Sequence, residues 1–241
     1  MKEVRLDKYL TDCTKMSRKE AKECIRKGRV QLDGQVVKKE GTKVKEGAEV
    51  SLDGETLYRQ EFVYLMMNKP TGVVSATKDR GERTVVDLVD PVPGHPDLFP
   101  VGRLDKESTG LLLLTNNGQL MDDILRGSNY HEKEYIVHVN KPITDSVLQA
   151  MAQGVPILDT ITRPCKIRRM GKDCFYITLT QGLNRQIRRM CEYFDYRVTS
   201  LKRIRIMNIE LGSLPVGKWR ELTTSEIKTL KNLAQNKGEA E

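Results

Sequence analysis

The spacing of apolar and polar positions divides the chain into two stretches with different rhythms. From residue 4 to about residue 58, single apolar residues alternate closely with charge: Arg5-Leu6-Asp7-Lys8-Tyr9-Leu10, then Ser17-Arg18-Lys19-Glu20-Ala21-Lys22-Glu23-Cys24-Ile25. Ser17 followed three residues later by Glu20 has the form of a capping box, in which hydroxyl and carboxylate satisfy the free amides of a helix start. The spacing predicts a helix over 18–27, with Gly28 where a left-handed C-terminal cap is usual. Beyond it, Arg29-Val30-Gln31-Leu32 alternates as a strand does and runs into the hairpin signal Asp33-Gly34. The stretch reads as two short helices followed by a small twisted β ribbon.

Longer apolar runs begin at residue 62. Phe62-Val63-Tyr64-Leu65-Met66-Met67 is strand-like and leads into Asn68-Lys69-Pro70-Thr71-Gly72, where Pro70 and Gly72 end regular structure. Pro91, Pro93, Gly94 and Pro96 mark a loop before Phe99-Pro100-Val101. Alternation returns in Tyr135-Ile136-Val137-His138-Val139, in Phe175-Tyr176-Ile177-Thr178-Leu179 and in Ile204-Arg205-Ile206-Met207-Asn208-Ile209. Strands mixed with a few helices imply an α+β domain built on a mixed, largely antiparallel sheet with flanking helices. A chain of 241 residues has room for a small module plus a larger domain with its own core. The expected division is 1–60 and 61–241, with a linker near 58–61, no internal repeat and a short charged tail after Leu233.

Charge sharpens this division. The chain carries 41 Lys or Arg against 33 Asp or Glu, a formal charge of +8, which favours a polyanionic partner. Residues 1–60 hold 15 basic against 11 acidic side chains. The basic ones gather on the predicted second helix, where positions 15, 18, 19, 22 and 26 recur at spacings of three or four and share a face. Ala21, Cys24 and Ile25 are free to turn inward. Residues 163–205 are more basic still, with 12 Lys or Arg against 3 Asp or Glu.

The five cysteines form no CxxC pair and have no His-rich partner at metal-ligand spacing, so reduced thiols and no metal are expected. No stretch approaches the roughly 20 apolar residues of a membrane span, and the N-terminus lacks an apolar signal core. A cytoplasmic protein without a membrane partner is the expectation.

Two segments could carry chemistry. Gly102-Arg103-Leu104-Asp105-Lys106-Glu107-Ser108-Thr109-Gly110 precedes the apolar run 111–114, so a carboxylate in a glycine-bracketed loop abuts a buried strand. Such a group can be held rigidly and partly desolvated beside a substrate. Taken alone, an Asp in a loop is more often a turn or cap residue. Gln181-Gly182-Leu183-Asn184-Arg185-Gln186-Ile187-Arg188-Arg189-Met190 sets a glycine turn before a predicted helix whose apolar positions are Ile187, Met190, Cys191 and Phe194. The guanidinium groups on its other face suit phosphates or a partly buried carboxylate.

Two resemblances follow from these residues. Arg5-Leu6-Asp7, Ser17-Arg18 and Lys27-Gly28-Arg29-Val30 resemble an S4-type RNA-binding domain. Asn68-Lys69-Pro70-x-Gly72, Gly102-Arg103-Leu104-Asp105-x-x-Ser108-x-Gly110-Leu111, Lys133-Glu134-Tyr135 and Asn184-Arg185-Gln186-Ile187-Arg188-Arg189-Met190 resemble the RsuA/RluB/RluE/RluF group of pseudouridine synthases. The likeness extends over about 4–222. Within the group, His131-Glu132-Lys133-Glu134-Tyr135, Gly154-Val155-Pro156-Ile157-Leu158 and Arg205-Ile206-Met207-Asn208 most resemble the RluF branch, which acts on large-subunit rRNA.

The resemblance implies that Asp105 is the essential carboxylate, Arg188 its ion-pair partner and Tyr135 the tyrosine that stacks on the target base. It also implies that Arg103 helps fill the gap left by a flipped nucleotide. Stacking worth about 1–3 kcal/mol per base can offset the few kcal/mol of unstacking. Arg5, Arg18, Lys19, Lys22, Lys27, Arg29, Arg185 and Arg189 are the further candidates for RNA contact. The implied partner is RNA, 23S rRNA with a tRNA as a further candidate, bound by a monomer, with no DNA and no cofactor.

A carboxylate at 105 could attack as a nucleophile or remove the ribose C2′ proton. A non-catalytic RNA-binding or ribosome-assembly protein and a hydrolytic N-glycosidase stand as the rival readings. Tyr135 could equally be an ordinary strand residue, Arg188 a phosphate ligand and Arg103 a local ion-pair partner.

Overall fold

The computed structural model describes residues 3–14, 16–45, 47–58, 62–89, 97–126 and 130–235. Lys15, the linker positions 59–61, the loop bearing Pro91, Pro93, Gly94 and Pro96, and the tail from 236 lie outside the described residues. Two compact units are present, Met1–Glu61 and Phe62–Glu241.

In the first unit, helices Leu6–Cys13 and Arg18–Arg26 pack on a four-stranded antiparallel sheet ordered Gln35–Val36, Val30–Leu32, Val50–Leu52, Glu55–Leu57. The predicted capping box is formed: Ser17 Oγ accepts from the Glu20 amide at 3.3 Å, and Glu20 Oε2 accepts from the Ser17 amide at 2.7 Å. Gly28 takes the left-handed conformation at φ +71°, as do Asp33 and Gly34 in the hairpin turn. Leu6, Leu10, Ala21, Cys24, Ile25, Val30, Val44 and Val50 form the core, so the charged stripe of the second helix turns outward.

The second unit is built on a nine-stranded sheet. Its main path runs Lys166–Arg169, Cys174–Leu179, Lys133–Val139, Val198–Ile206, Thr109–Thr115, Tyr64–Lys69, Trp219–Glu221, with Ile209–Glu210 and Phe99–Val101 paired at the side. Among the described residues, all its strand pairings are antiparallel except one. Val198–Ile206 and Thr109–Thr115 run parallel and are in register at only two positions, Lys202 with Thr109 and Arg203 with Gly110.

The sheet therefore has a short central seam with a separate core on each side. Val137, Val139, Phe175, Ile177 and Leu201 pack against helices Asp145–Gln153 and Gln186–Tyr193 on one side. On the other, Tyr64–Lys69 and Thr109–Thr115 are covered on both faces. Alternate residues of the run 111–114 consequently enter different clusters, and such strands read as continuous apolar runs rather than as alternation.

Gly110 lies at this seam. A Cβ there would stand 2.2 Å from the Arg203 carbonyl oxygen and 2.7 Å from its amide nitrogen, at φ +104°. Only glycine lets the two strands approach so closely.

Two boundaries differ from the sequence reading. The strand expected over 62–67 is Tyr64–Lys69, because Asn68 and Lys69 still pair with Leu111 and Gly110. The alternation over 204–209 is not one strand: Met207 adopts φ +51° and turns the chain, so that Ile209 pairs back on Ile206.

Candidate active site

Asp105 lies in the loop between Phe99–Val101 and Thr109–Thr115, and that loop is fastened at several points. Ser75 Oγ donates to the Leu104 carbonyl at 2.9 Å and accepts from the Leu104 amide at 3.1 Å. With Leu104 buried and fixed, Arg103 on one side of it faces solvent while Asp105 on the other is half-buried. The Ser108 amide donates to the Asp105 carbonyl at 3.0 Å, and the Gly72 amide to the Lys106 carbonyl at 2.9 Å.

Beneath the loop lies Lys69, with no exposed surface. Its Nζ is 2.9 Å from the Pro70 carbonyl, 3.2 Å from that of Asp105 and 3.0 Å from that of Ser108, so three ammonium protons meet three carbonyl oxygens. Burial pushes its pKa down to about 8; the Asp105 and Glu107 charges oppose that fall and the Arg203 charge adds to it.

The Asp105 carboxylate is flanked by two guanidinium groups. Its Oδ2 lies 3.5 Å from Arg185 Nη1 and 3.5 Å from Arg188 Nε. Helix Gln186–Tyr193 buries Gln186, Ile187, Met190 and Cys191 against the sheet, and Arg188 emerges from it toward the loop. Arg188 also donates to Ser108 Oγ at 3.3 Å and to the Val198 carbonyl at 3.4 Å. Its Nε, though buried, is not aligned for a hydrogen bond, so its contact with Asp105 is electrostatic. Arg185, the left-handed residue before the helix at φ +50°, also reaches Glu107 Oε2 at 3.4 Å. Glu107's own backbone amide, and then the charges of Arg185 and Arg188, hold its carboxyl below the usual carboxylate range.

Tyr135 reaches the site through the sheet. It is paired in register with Arg203, which is paired in turn with Gly110 at the end of the Asp105 loop. A register shift falls between Glu134, opposite Arg205, and Tyr135, opposite Arg203, so Ile204 is an extra residue in its strand. Adjacent strand residues face opposite ways and registered partners face the same way. The bulge thus sends Arg203 and Arg205, two positions apart, to opposite faces.

Arg205 joins Glu134 at 3.0 Å and Glu132 at 2.9 Å, which fixes the strand around Tyr135 from behind. Arg203 lies on Tyr135's own face, its guanidinium carbon 6.0 Å from the ring centroid. Tyr135 is half-buried against the cluster to which the Arg188 helix belongs. Asp105 is thereby tied directly to Arg188, and to Tyr135 only through the register that links Gly110, Arg203 and Tyr135 across the seam.

The remaining candidates are distributed differently. Arg189 is bound to the Asn184 carbonyl at 3.1 Å and to its Oδ1 at 3.4 Å. In the first unit, Arg18 and Lys19 are exposed, whereas Arg5 pairs with Asp7, Lys22 with Glu40, Lys27 with Glu23 and Arg29 with Asp53. Lys69, Ser108 and Arg203 were given no role from the sequence. For the first two the available signal was their place in the Asn68-Lys69-Pro70 and Ser108-x-Gly110 motifs, and for Arg203 it was a charge placed between the apolar positions 201 and 206.

Residues 63–193 match the family model described as RNA pseudouridylate synthase, and residues 4–50 match the S4 domain. The chain belongs to the RNA pseudouridine synthases, isomerases acting on RNA, and carries an N-terminal S4 domain. It is 48% identical over 236 residues to the dual-specificity RNA pseudouridine synthase RluF of Escherichia coli (strain K12), an alignment spanning 97% of this chain and 80% of that protein. It is 33% identical over 239 residues to the ribosomal large subunit pseudouridine synthase B of Bacillus subtilis (strain 168), covering 96% and 97% of the two chains. A crystal structure of a pseudouridylate synthase superposes with a TM-score of 0.68 at 31% identity, covering 94% of this chain and 99% of that one.

Proposed function

We propose that this protein converts a uridine of large-subunit ribosomal RNA to pseudouridine, with Asp105 as the carboxylate that acts on the ribose. The observation that carries this reading is the Asp105 side chain, half-buried on a loop fastened by Lys69 and Ser75 and set between Arg185 and Arg188 at 3.5 Å each. A carboxylate so anchored is positioned rather than merely exposed, which is where most of an intramolecular rate advantage originates.

In the proposed reaction the target base leaves its stack and lies on Tyr135, while Arg103, on the solvent side of the loop, occupies the vacated space. Arg188 orients Asp105, and Arg185 and Arg189 contact RNA. Arg18 and Lys19, with Lys22, Lys27, Arg29 and Arg5 once their carboxylate partners exchange for phosphates, supply the S4 contribution. The ribosomal target is supported by the likeness to the large-subunit synthase of Bacillus subtilis, and a second RNA, a tRNA, by the likeness to a dual-specificity enzyme. The proposed workplace is the cytoplasm, where ribosomes and tRNA are found, and the proposed working form is a monomer.

Large-subunit rRNA tritiated at uracil C5 tests the reading. Isomerisation releases tritium to water, a glycosidase releases free uracil, and a binding protein releases neither. The Asp105→Asn variant should bind the RNA with unchanged affinity and release no tritium; substantial release by that variant would refute the role of this carboxylate.

A further inference from the structure

Arg203 is 2% exposed, and among the described residues its buried Nη2 has no hydrogen-bond partner. Its Nε donates to the Leu111 carbonyl at 2.7 Å. A guanidinium stays charged at any pH a protein meets and needs acceptors for its donors. Burying one unpaired is costly and adds nothing that an apolar side chain would not supply better. The Ile204 bulge is what directs this charge to the Tyr135 face rather than to the Glu132 and Glu134 carboxylates that receive Arg205.

The surroundings are over-supplied with positive charge. Lys69 and Lys133 are both pushed down to about 8, by burial first and by the Arg203 charge in addition. Asp105 is already shared between Arg185 and Arg188. A face with this balance is complementary to an anion that is present only when the site is occupied.

The isomerisation generates such an anion. When the C1′–N1 bond breaks, its electron pair leaves with the base and spreads over N1, O2 and O4. C1′ is meanwhile bonded to the Asp105 carboxylate, or C2′ gives its proton to that carboxylate. After the base turns, C5 bonds to C1′ as the C1′–carboxylate bond breaks, or as C2′ takes its proton back from the carboxylate; the C5 proton then passes to solvent and N1 regains a proton.

We propose that Arg203 is a further catalytic residue, whose unpartnered Nη2 donates to the departing uracil anion while the base lies on Tyr135. The inference rests on the reading of the site given above. A planar, permanently charged donor suits the delocalised edge of uracilate, and a preorganised donor aimed at developing charge lowers the barrier without a reorganisation cost.

The test uses the full-length protein and C5-tritiated large-subunit rRNA transcripts. Arg203→Met keeps the volume and removes the charge; it should be folded by circular dichroism, bind RNA with KM within about threefold, and lose about 100-fold or more in kcat, as loss of a single transition-state donor does. Arg203→Ala should show the same loss and recover about tenfold in millimolar guanidinium but not in urea, its uncharged isostere. Arg203→Lys, which retains the charge, should lie between wild type and Arg203→Met.

The proposal is overturned if Arg203→Met keeps kcat within a few-fold, or loses activity only in proportion to its unfolded fraction. Equal rescue by urea, or a change confined to KM and the salt dependence of binding, would also overturn it, the latter because it marks a phosphate contact. Absence of tritium release from the wild-type protein would instead refute the function on which the proposal rests.

Discussion

Replacing Lys69 by Met tests whether the Asp105 loop is held from below. The wild-type ammonium serves three carbonyls at 2.9, 3.2 and 3.0 Å. Orphaning the buried Ser108 carbonyl and the part-buried carbonyls of Pro70 and Asp105 costs up to about 1–3 kcal/mol each, so the loss lies at up to about 3–9 kcal/mol before relaxation. Against this, Lys69 is burdened by its own charge. A pKa lowered from 10.5 to about 8 corresponds to about 3 kcal/mol at about 1.4 kcal/mol per pH unit. Removing that burden offsets part of the loss, which leaves a net destabilisation of about 3 kcal/mol, readable by urea denaturation.

Activity should fall in the folded protein as well. A displacement of the Asp105 backbone by about 1 Å is enough for a 100-fold fall in kcat, while RNA affinity should stay close to wild type. The pH dependence has a defined sign. Lys69's folded pKa lies below its unfolded value, so the state with three donor protons is populated below about 8 and is lost as pH rises through it. Wild-type kcat should accordingly decline above pH 8. A Lys69→Met protein that retains kcat within twofold would show that the loop holds itself, and the reasoning would fail.

Other expectations are simpler to state. Gly110→Ala should destabilise the second unit by more than about 4 kcal/mol, since a Cβ 2.2 Å from the Arg203 carbonyl oxygen forces the central strands apart; a melting temperature close to wild type would contradict the tight seam. Replacing Arg18, Lys19 and Lys22 together by Ala should weaken RNA binding and flatten the dependence of log K on log salt by about 2, at about 0.7–0.9 per phosphate contact. An unchanged slope would remove that helix from the interface. Ser17→Ala should cost about 1 kcal/mol in the stability of the first unit by opening the capping box, measured by calorimetry.

Local signals were legible in the sequence where a residue's conformation depends on its neighbours along the chain. The Ser17–Glu20 box, the Gly28 cap and the Asp33-Gly34 turn all formed as their residue types require. The helix carrying Arg188 followed from the apolar spacing of Ile187, Met190 and Cys191. What depended on pairing across the sheet was not legible. The strand break at Met207 is hidden because the apolar alternation continues through the turn. The bulge at Ile204 leaves no mark in composition, yet it decides which way Arg203 points. Lys69 reads as a loop residue beside Pro70, and its burial appears only when the carbonyls of residues 105 and 108 fold over it.

The parallel seam explains why these features coincide. An antiparallel neighbour to Thr109–Thr115 at that edge would continue the ladder, and the sheet would close over its own centre. A parallel pair in register at only two positions leaves the strands free to diverge on either side, and the loop entering at Gly110 must lie at that divergence. Asp105, five residues earlier, is therefore delivered at the end of the Arg203 strand and left half-buried. Arg188 from the covering helix and Arg203 from across the seam bring positive charge to this place, while Lys69 is held below it by three carbonyls. Topology sets where these groups meet, and on the proposed reading the excess of positive charge over Asp105 and Glu107 favours a substrate that becomes negative during the reaction.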